Sequence, residues 1–212
     1  KALRKFSPYQ LAKYQMKGKD ITLRDLFRLT RPAPISPAQR AAFEGIVKGT
    51  IAPPDTWEVA LSGGADKRET FTRLMLEGKL GGLALLRNLR NMVEANVDHD
   101  VITSALATMN TSRIFPYQFI SAAKHAVLLE PQIEGAMLRG LATLPKMPGR
   151  TVLCVDVSGS MAHPQSSKSE MTRFDAAAAL AILVREVCEQ CAVIMFNHDA
   201  RVVPARRGFA LR

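Results

Sequence analysis

The sequence has little cysteine and no long apolar run. Its 212 residues include three cysteines and one tryptophan. Three cysteines do not make a disulfide framework, so we expect reduced thiols and a cytoplasmic location. The longest apolar stretch, 176–184, is shorter than the roughly 18 residues that a membrane span needs, and we expect no membrane partner. The N-terminus lacks the apolar part of a secretory signal, and because it also lacks Met we expect a processed or clipped chain.

Acidic side chains are scarce where basic ones are concentrated. The net charge is +10, and residues 1–150 carry 22 Lys and Arg against 13 Asp and Glu. Residues 1–31 alone hold nine basic and two acidic side chains, whereas residues 151–212 are nearly balanced. A local basic surface attracts polyanions by releasing their counterions, so nucleic acid is the first partner to consider. The alternative is a solvated basic face.

Residues 1–146 show the apolar spacing of short helices separated by Pro and Gly. Thr22 and Asp25 come close to a capping box, and Ser36-Pro37 predicts a helix start that Gly49 ends. Successive helices of this length are typical of an α-solenoid or an irregular bundle. The spacing predicts helices over 23–31, 37–48, 56–62, 66–77, 82–97, 99–109, 116–129 and 131–144.

The composition changes after residue 144. Residues 144–149 are predicted to be a linker, and the β-branched run 151–157 a buried parallel strand. An amphipathic helix over 174–189, a buried strand over 192–196 and an edge strand or hairpin from 201 are expected to follow. Strand, helix and strand in this order begin an open α/β sheet. We therefore predict one domain over 1–146 and the truncated start of a second over 150–212.

The sharpest motif follows the first predicted strand. Asp156, Ser158 and Ser160 place a carboxylate and two hydroxyls on one loop, and such oxygens suit Mg²⁺ or Mn²⁺. A phosphoryl-accepting Asp loop usually offers a second carboxylate two residues on, and a nucleophile elbow needs G-x-S-x-G, so neither fits. The sequence shows neither paired carboxylates nor a Ser/His/Asp order that would indicate hydrolysis, so we expect that the chain is not an enzyme. An ordinary polar loop is the alternative.

The segment DVSGSM, the Ala-rich helix and AVIMFNHDA together resemble the von Willebrand factor type A fold, over residues 150–203. The resemblance implies a metal-ion-dependent adhesion site in which Asp156, Ser158 and Ser160 are ligands of a divalent cation, Mg²⁺. In that family a Thr and often an Asp on later loops complete the site. By family spacing these lie beyond residue 212, so we expect an incomplete site.

The helical part resembles the TROVE module of the Ro ribonucleoprotein autoantigen family. The resemblance rests on ITLRDLFRLTRPAP at 21–34, GLALLRNLRNM at 82–92 and RIFPYQFISAAKHA at 113–126. It implies a ring of HEAT-like helical repeats followed by a type A, Rossmann-like α/β domain, here incomplete at both ends. Such a ring binds small structured noncoding RNAs on its outer basic face and single-stranded RNA ends in its hole, without catalysis. The resemblance also implies an exoribonuclease partner.

Family contacts cluster around the helix before, and the turn after, the LRDLFRL segment. Carried over to this chain, they favour Lys13, Lys17, Arg24 and Arg31 as RNA-binding residues. Relatives often carry His at the position of Arg31. RNA bases could also stack on Tyr14, although we favour core packing for Tyr14, Phe27 and Trp57.

Two other functions stay open. One is a metal-dependent protein-interaction module, and the other is a metal-dependent nuclease or an ATPase partner. The remaining candidates favour structural roles: Cys188 and Cys191 as core thiols, His125 as a surface or hydrogen-bonded histidine, and Arg90 as a partner of Glu94.

Overall fold

A computed structural model describes residues 2–14, 18–167 and 169–211, so Lys17 lies outside the described residues. The chain forms two compact units, Lys1–Ala65 and Asp66–Arg212. The second unit combines helices with the α/β segment, and the predicted domain boundary near 146–150 stays a prediction. Within the described ranges, no helix has the length and apolar character to cross a membrane.

The first unit is helical. A 3₁₀ turn at Ala2–Lys5 precedes the helices. Both predicted caps are confirmed: Thr22 and Asp25 form a capping box, while Ser36 accepts a hydrogen bond from the Gln39 N–H. Gly49 ends its helix with a φ of 77°, a left-handed conformation that suits glycine. The helices are α1 (Pro8–Lys13), α2 (Leu23–Thr30), α3 (Pro37–Lys48) and α4 (Trp57–Ser62).

Aromatic and aliphatic side chains from three helices form the core of this unit. Phe27 and Phe43 meet edge to face with ring centroids 4.6 Å apart. Core packing is therefore confirmed for Phe27, but it is wrong for Tyr14, which follows the end of α1 and is 59% exposed. Trp57 is only half-buried. The buried core consists of Leu11, Leu23, Phe27, Phe43 and Ile46.

The second unit begins with helices that follow the predicted order. Three of them end at least three residues before the predicted end: Asn96 takes a positive φ of 54° after the first, a 3₁₀ turn at Val127–Leu129 follows the second, and the third ends at Leu141. Phe71, Leu89 and Ile120 are completely buried at its centre. The helices are α5 (Lys67–Leu76), α6 (Gly82–Glu94), α7 (His99–Thr108), α8 (Pro116–His125) and α9 (Glu130–Leu141).

A three-stranded sheet completes the second unit. Strand β1 (Met147–Asp156) runs parallel to β2 (Cys188–Phe196), and β3 (Ala200–Val202) pairs antiparallel with β2 at the edge. Helix α10 (Arg173–Val187) joins the two parallel strands and packs against both of them and against α8. The predicted strand–helix–strand unit and its edge hairpin are confirmed.

Three predictions about this segment are wrong in detail. Strand β1 begins at Met147, inside the predicted linker, and Cys188 opens β2 instead of continuing the helix. The strands are also less buried than predicted, since alternate residues such as Val152 face outward, in that case with 59% of the side chain exposed. A parallel strand is buried on both faces only when helices cover both, and among the described residues α10 covers one.

Candidate functional site

Three arginines lie along α2 and the turn that follows it. Arg24 and Arg28 are four residues apart, and Arg31 is the C-cap, so all three fall on neighbouring turns of one helical face. Arg31 adopts the left-handed region with a φ of 38°, and its backbone N–H donates to the Phe27 carbonyl at 2.9 Å. Left-handed backbone in a non-glycine residue costs about 1 kcal/mol or more, and here it occurs where helices commonly adopt it, at a C-terminus.

A cleft of about 780 Å³ lies between α2 and α3. Phe27, Phe43 and Val47 contribute apolar surface, and Arg28, Arg31, Arg40 and Lys48 contribute positive charge. Lys48 lies 3.8 Å from Glu44, whereas the guanidinium groups of Arg31 and Arg40 have no carboxylate partner in the described part of the chain. Such a cleft can bind a phosphate with its rim and a flat apolar group against its floor.

Arg24 does not line this cleft and lies beside the end of α3. Its Nε donates to the Ile46 carbonyl at 3.4 Å, and its guanidinium lies against Gly49. A Cβ built at Gly49 would lie 2.0 Å from Arg24 Nη2, so the glycine both ends α3 and leaves room for the arginine. Arg24 is thereby held in place at the surface of the unit.

Lys13 is placed differently from the arginines. Its Nζ lies 3.8 Å from Glu58 Oε1 and 6.0 Å from the ring centroid of Tyr9. The charge of Lys13 is therefore partly compensated within the unit. Tyr14, the next residue, is exposed and available for stacking.

The sequence-based selection omitted two arginines of the cleft, Arg28 and Arg40. The signal for both was present as spacing. Arg28 follows Arg24 by four residues, and Arg40, Glu44 and Lys48 recur at every fourth position of α3. Residues at this spacing share one helical face.

The proposed metal ligands are brought together at the carboxyl end of β1. The Ser158 N–H donates to Asp156 Oδ1 at 2.8 Å, and the hydroxyl oxygens of Ser158 and Ser160 are 3.1 Å apart. The backbone hydrogen bond from Ser158, followed by that of its side chain, holds the pKa of Asp156 below its usual range. The loop therefore presents an ionised carboxylate beside two hydroxyls.

This donor set fits a hard cation in its chemistry. Carboxylate and hydroxyl oxygens are ligands that Mg²⁺ accepts, and Mg²⁺ usually retains several waters. In the described ranges, no group of three or more His, Cys, Asp or Glu side chains is placed to hold a metal. Any metal at this loop would thus depend on Asp156 as its one charged protein ligand among these three residues.

The first turn of α10 and the segment before it are both bound to the end of α8. Lys124 Nζ lies 2.5 Å from Asp175 Oδ2, and His125 Nε2 lies 3.0 Å from Glu170 Oε2. Burial acts to raise the pKa of Asp175, but hydrogen bonds from Lys124 and Thr172 outweigh it and lower the pKa. Consecutive residues of α8 thus make one buried contact with α10 and one exposed contact with the segment before it.

Cys188 and Cys191, three residues apart, differ in burial: Cys188 is buried and Cys191 is partly exposed. Cys188 is buried at the start of β2, as expected of a core thiol. Burial, and then the neighbouring Cys188, raise the pKa of the Cys191 thiol. A raised pKa disfavours the thiolate, which is the form that binds metal.

Comparison with known proteins identifies the family. A model of the TROVE domain matches residues 48–179. The mouse (Mus musculus) protein Telomerase protein component 1 is 33% identical over 86 residues, which cover 38% of this chain and 3% of that protein. The crystal structure of the Deinococcus radiodurans RO (RSR) protein superposes with a TM-score of 0.62 at 19% identity, and the match covers 97% of this chain.

The chain spans 53% of the length of that Deinococcus structure and a small part of the mouse protein. At 19% identity the structural match shows a shared fold. The TROVE match extends over more than half of the chain, from the end of α3 into α10, and it confirms the resemblance seen in the sequence. This chain belongs to the TROVE domain family.

Proposed function

We propose that the chain is the RNA-binding component of a ribonucleoprotein and that it binds RNA without catalysis. The observation that carries this proposal is the α2–α3 cleft, in which Arg28, Arg31 and Arg40 surround an apolar floor. Membership of the TROVE family supports the same function.

The chemistry of the cleft suits a nucleic-acid strand. A guanidinium can donate two parallel hydrogen bonds to a phosphate, and Arg31 and Arg40 have no carboxylate partner among the described residues. The exposed or partly exposed side chains of Pro32, Pro34 and Val47 offer an apolar surface for a base or ribose. Arg24 and Lys13 extend the positive surface, so contacts to phosphate would dominate the affinity.

The finer features of the function come from the family resemblance. We propose that the ligands are small structured noncoding RNAs and single-stranded RNA ends, and that an exoribonuclease is a partner. We also propose that the helices belong to a ring of HEAT-like repeats followed by a type A domain, in a cytoplasmic protein.

A salt titration tests the RNA proposal. We expect log–log affinity for a structured RNA with a single-stranded tail to fall with a slope of about −4, as for about five neutralised phosphates. Arg28→Ala with Arg31→Ala should reduce the slope by about 2 in magnitude. The matched control is Lys67→Ala with Arg68→Ala, which removes two exposed charges from α5 and should leave the slope nearly unchanged. Equal losses in the two double variants would contradict a specific role for the cleft.

A second candidate function is a metal-dependent protein-interaction site at Asp156, Ser158 and Ser160. The supporting observation is their arrangement, with the hydroxyls 3.1 Å apart beside an ionised carboxylate. A bound Mg²⁺ would supply a positive centre for a carboxylate of the partner protein.

Calorimetry with MgCl₂ tests this second function. We expect weak binding, about millimolar, since one carboxylate carries most of the interaction. Asp156→Asn should abolish it, whereas Asp199→Asn, another acidic residue that follows a strand, should not. RNA binding should survive EDTA, and its loss on chelation would show that metal and RNA share one mechanism.

A further inference from the structure

A second cleft with basic and aromatic side chains lies in the other unit, between α6, α8 and the segment before α10. Its volume is about 400 Å³, within the range of small-molecule sites. Arg87 and Arg90 come from α6. Tyr117, Ser121 and His125 occupy one face of α8 at intervals of four residues.

The positive groups of this cleft differ in how they are paired. Arg90 is bound to Glu94 at 2.9 Å on the surface of α6, whereas the Arg87 guanidinium makes no ion pair within the described ranges. The His125 Nε2 lies 3.0 Å from the carboxylate of Glu170, whose side chain is 75% exposed. The carboxylate of Glu170 therefore lies at the end of the cleft that His125 lines, and solvent weakens its contact with the imidazole.

The aromatic part of the cleft is Tyr117. Its side chain is 47% exposed and lies nearly parallel to that of Phe115, with an angle of 11° between the rings and 6.3 Å between their centroids. An exposed tyrosine that lines a cleft offers a flat face on which a base can stack. The Ser121 hydroxyl lies one helical turn from Tyr117 and one from His125, so polar and aromatic groups alternate along the cleft.

We propose that this cleft binds a nucleotide. Arg87 and the Nε2–H of His125 hold the phosphate, Tyr117 stacks with the base, and Glu170 is the internal anion that the phosphate replaces. A simple carboxylate ligand would use the basic end alone and leave the tyrosine without a role. The inference is independent of the proposed RNA function, because that function rests on residues of the first unit.

Equilibrium dialysis with AMP, adenosine and inorganic phosphate tests the proposal. We expect saturable binding of AMP, with adenosine and phosphate at least about tenfold weaker, because each lacks one of the two recognised groups. Arg87→Ala should weaken AMP binding about tenfold or more, since a charged hydrogen bond to the phosphate is lost. The control Arg68→Ala removes an exposed arginine from α5 and should have no effect.

Two further variants separate the parts of the site. Glu170→Gln should strengthen AMP binding a few-fold, because it removes the competing carboxylate. Tyr117→Phe should retain the binding that Tyr117→Leu loses. Phosphate that binds as tightly as AMP, or AMP binding that ignores both Arg87→Ala and Glu170→Gln, would overturn the proposal.

A short single-stranded oligonucleotide distinguishes a free nucleotide from the terminal nucleotide of a strand. An oligonucleotide can also bind the first unit. Binding to this cleft is therefore measured as the difference in oligonucleotide affinity between the parent chain and Arg87→Ala. AMP binding that depends on Arg87 supports a free nucleotide. Oligonucleotide binding with the same dependence, without AMP binding, supports a strand end. Absence of this dependence for both probes would show that the cleft binds neither.

Discussion

The two units use charge in different ways. In the α2–α3 cleft of the first unit, Arg31 and Arg40 face solvent with no carboxylate partner in the described part of the chain. Around α10 of the second unit, by contrast, the buried carboxylates Asp175 and Glu186 are bound by Lys124 and Arg207. The difference indicates that Arg31 and Arg40 are available to a ligand, whereas Lys124 and Arg207 stabilise the fold.

The largest effect should follow from breaking the buried pair. Lys124→Met leaves the Asp175 carboxylate buried with hydrogen bonds from Thr172 alone, and we expect a loss of about 3 kcal/mol in the free energy of unfolding. Urea denaturation measures it. Arg90→Met is the control, since its exposed pair with Glu94 should contribute about 0.5 kcal/mol or less.

Adding Asp175→Asn to Lys124→Met should restore part of the lost stability, because it removes the unpaired charge. A loss below about 1 kcal/mol in the single variant would place this pair among the weak surface ion pairs.

Acid should destabilise the second unit through the same carboxylates. The hydrogen bond from Arg207 is the main cause that lowers the pKa of Glu186, and hydrogen bonds lower that of Asp175 against the effect of burial. A carboxyl group whose pKa is lower in the folded than in the unfolded state stabilises the fold at any pH above its ordinary pKa, which is 4.5 for Glu186 and 3.8 for Asp175. This stabilisation is lost as the pH falls through the pKa of the folded state.

We therefore expect the contribution of these groups to be constant from roughly pH 7 to 5 and to decrease below about 4.5. Thermal unfolding at a series of pH values measures it. Glu186→Gln should reduce the decrease in melting temperature at acid pH. An unchanged decrease would show that other groups cause the acid sensitivity.

RNA affinity should depend more on Arg31 than on Lys13. Arg31→Ala removes a guanidinium with no carboxylate partner among the described residues, and we expect binding about tenfold weaker. Lys13→Ala removes a charge that Glu58 already compensates, so the loss should be about twofold. Filter binding at one fixed salt concentration compares the two, and an equal loss would show that the Glu58 contact does not persist in solution.

The smallest expected effect concerns the backbone of Arg31. Glycine adopts a φ of 38° without steric cost, so Arg31→Gly should raise the free energy of unfolding by about 1 kcal/mol while it weakens RNA binding. Gly49→Ala is the opposite test, because it puts a Cβ at a left-handed C-cap against Arg24 and should destabilise the unit. If Arg31→Gly bound RNA normally, the cleft would not need the guanidinium.

Much of the fold could be predicted from local signals in the sequence. Helix α3 begins after Ser36 and ends before Gly49, as its caps predict, because these residues satisfy backbone groups without tertiary contacts. The junction between α10 and β2 could not be predicted in this way. The apolar pattern continues through Cys188, and only pairing with β1 determines where the helix becomes a strand.

The candidate sites show the same limit. The neighbouring positions of Asp156, Ser158 and Ser160 follow from spacing within one loop, so the sequence predicted that cluster. The pairing of His125 with Glu170 joins residues 45 positions apart, so no local sequence pattern predicts it. The spacing of Arg40, Glu44 and Lys48 put them on one face of α3, but that this face borders the cleft depends on α2 packing beside α3.

The contacts of Lys124 and His125, at the end of α8, differ in how easily they can be broken. Lys124 forms an ion pair with the buried carboxylate of Asp175 in the first turn of α10. His125 contacts the carboxylate of Glu170, which is exposed, so water competes for that contact. Loss of the His125–Glu170 contact would leave the Lys124–Asp175 pair in place, because the two contacts involve different residues. A ligand that displaces Glu170 from His125 therefore would not have to break the buried ion pair.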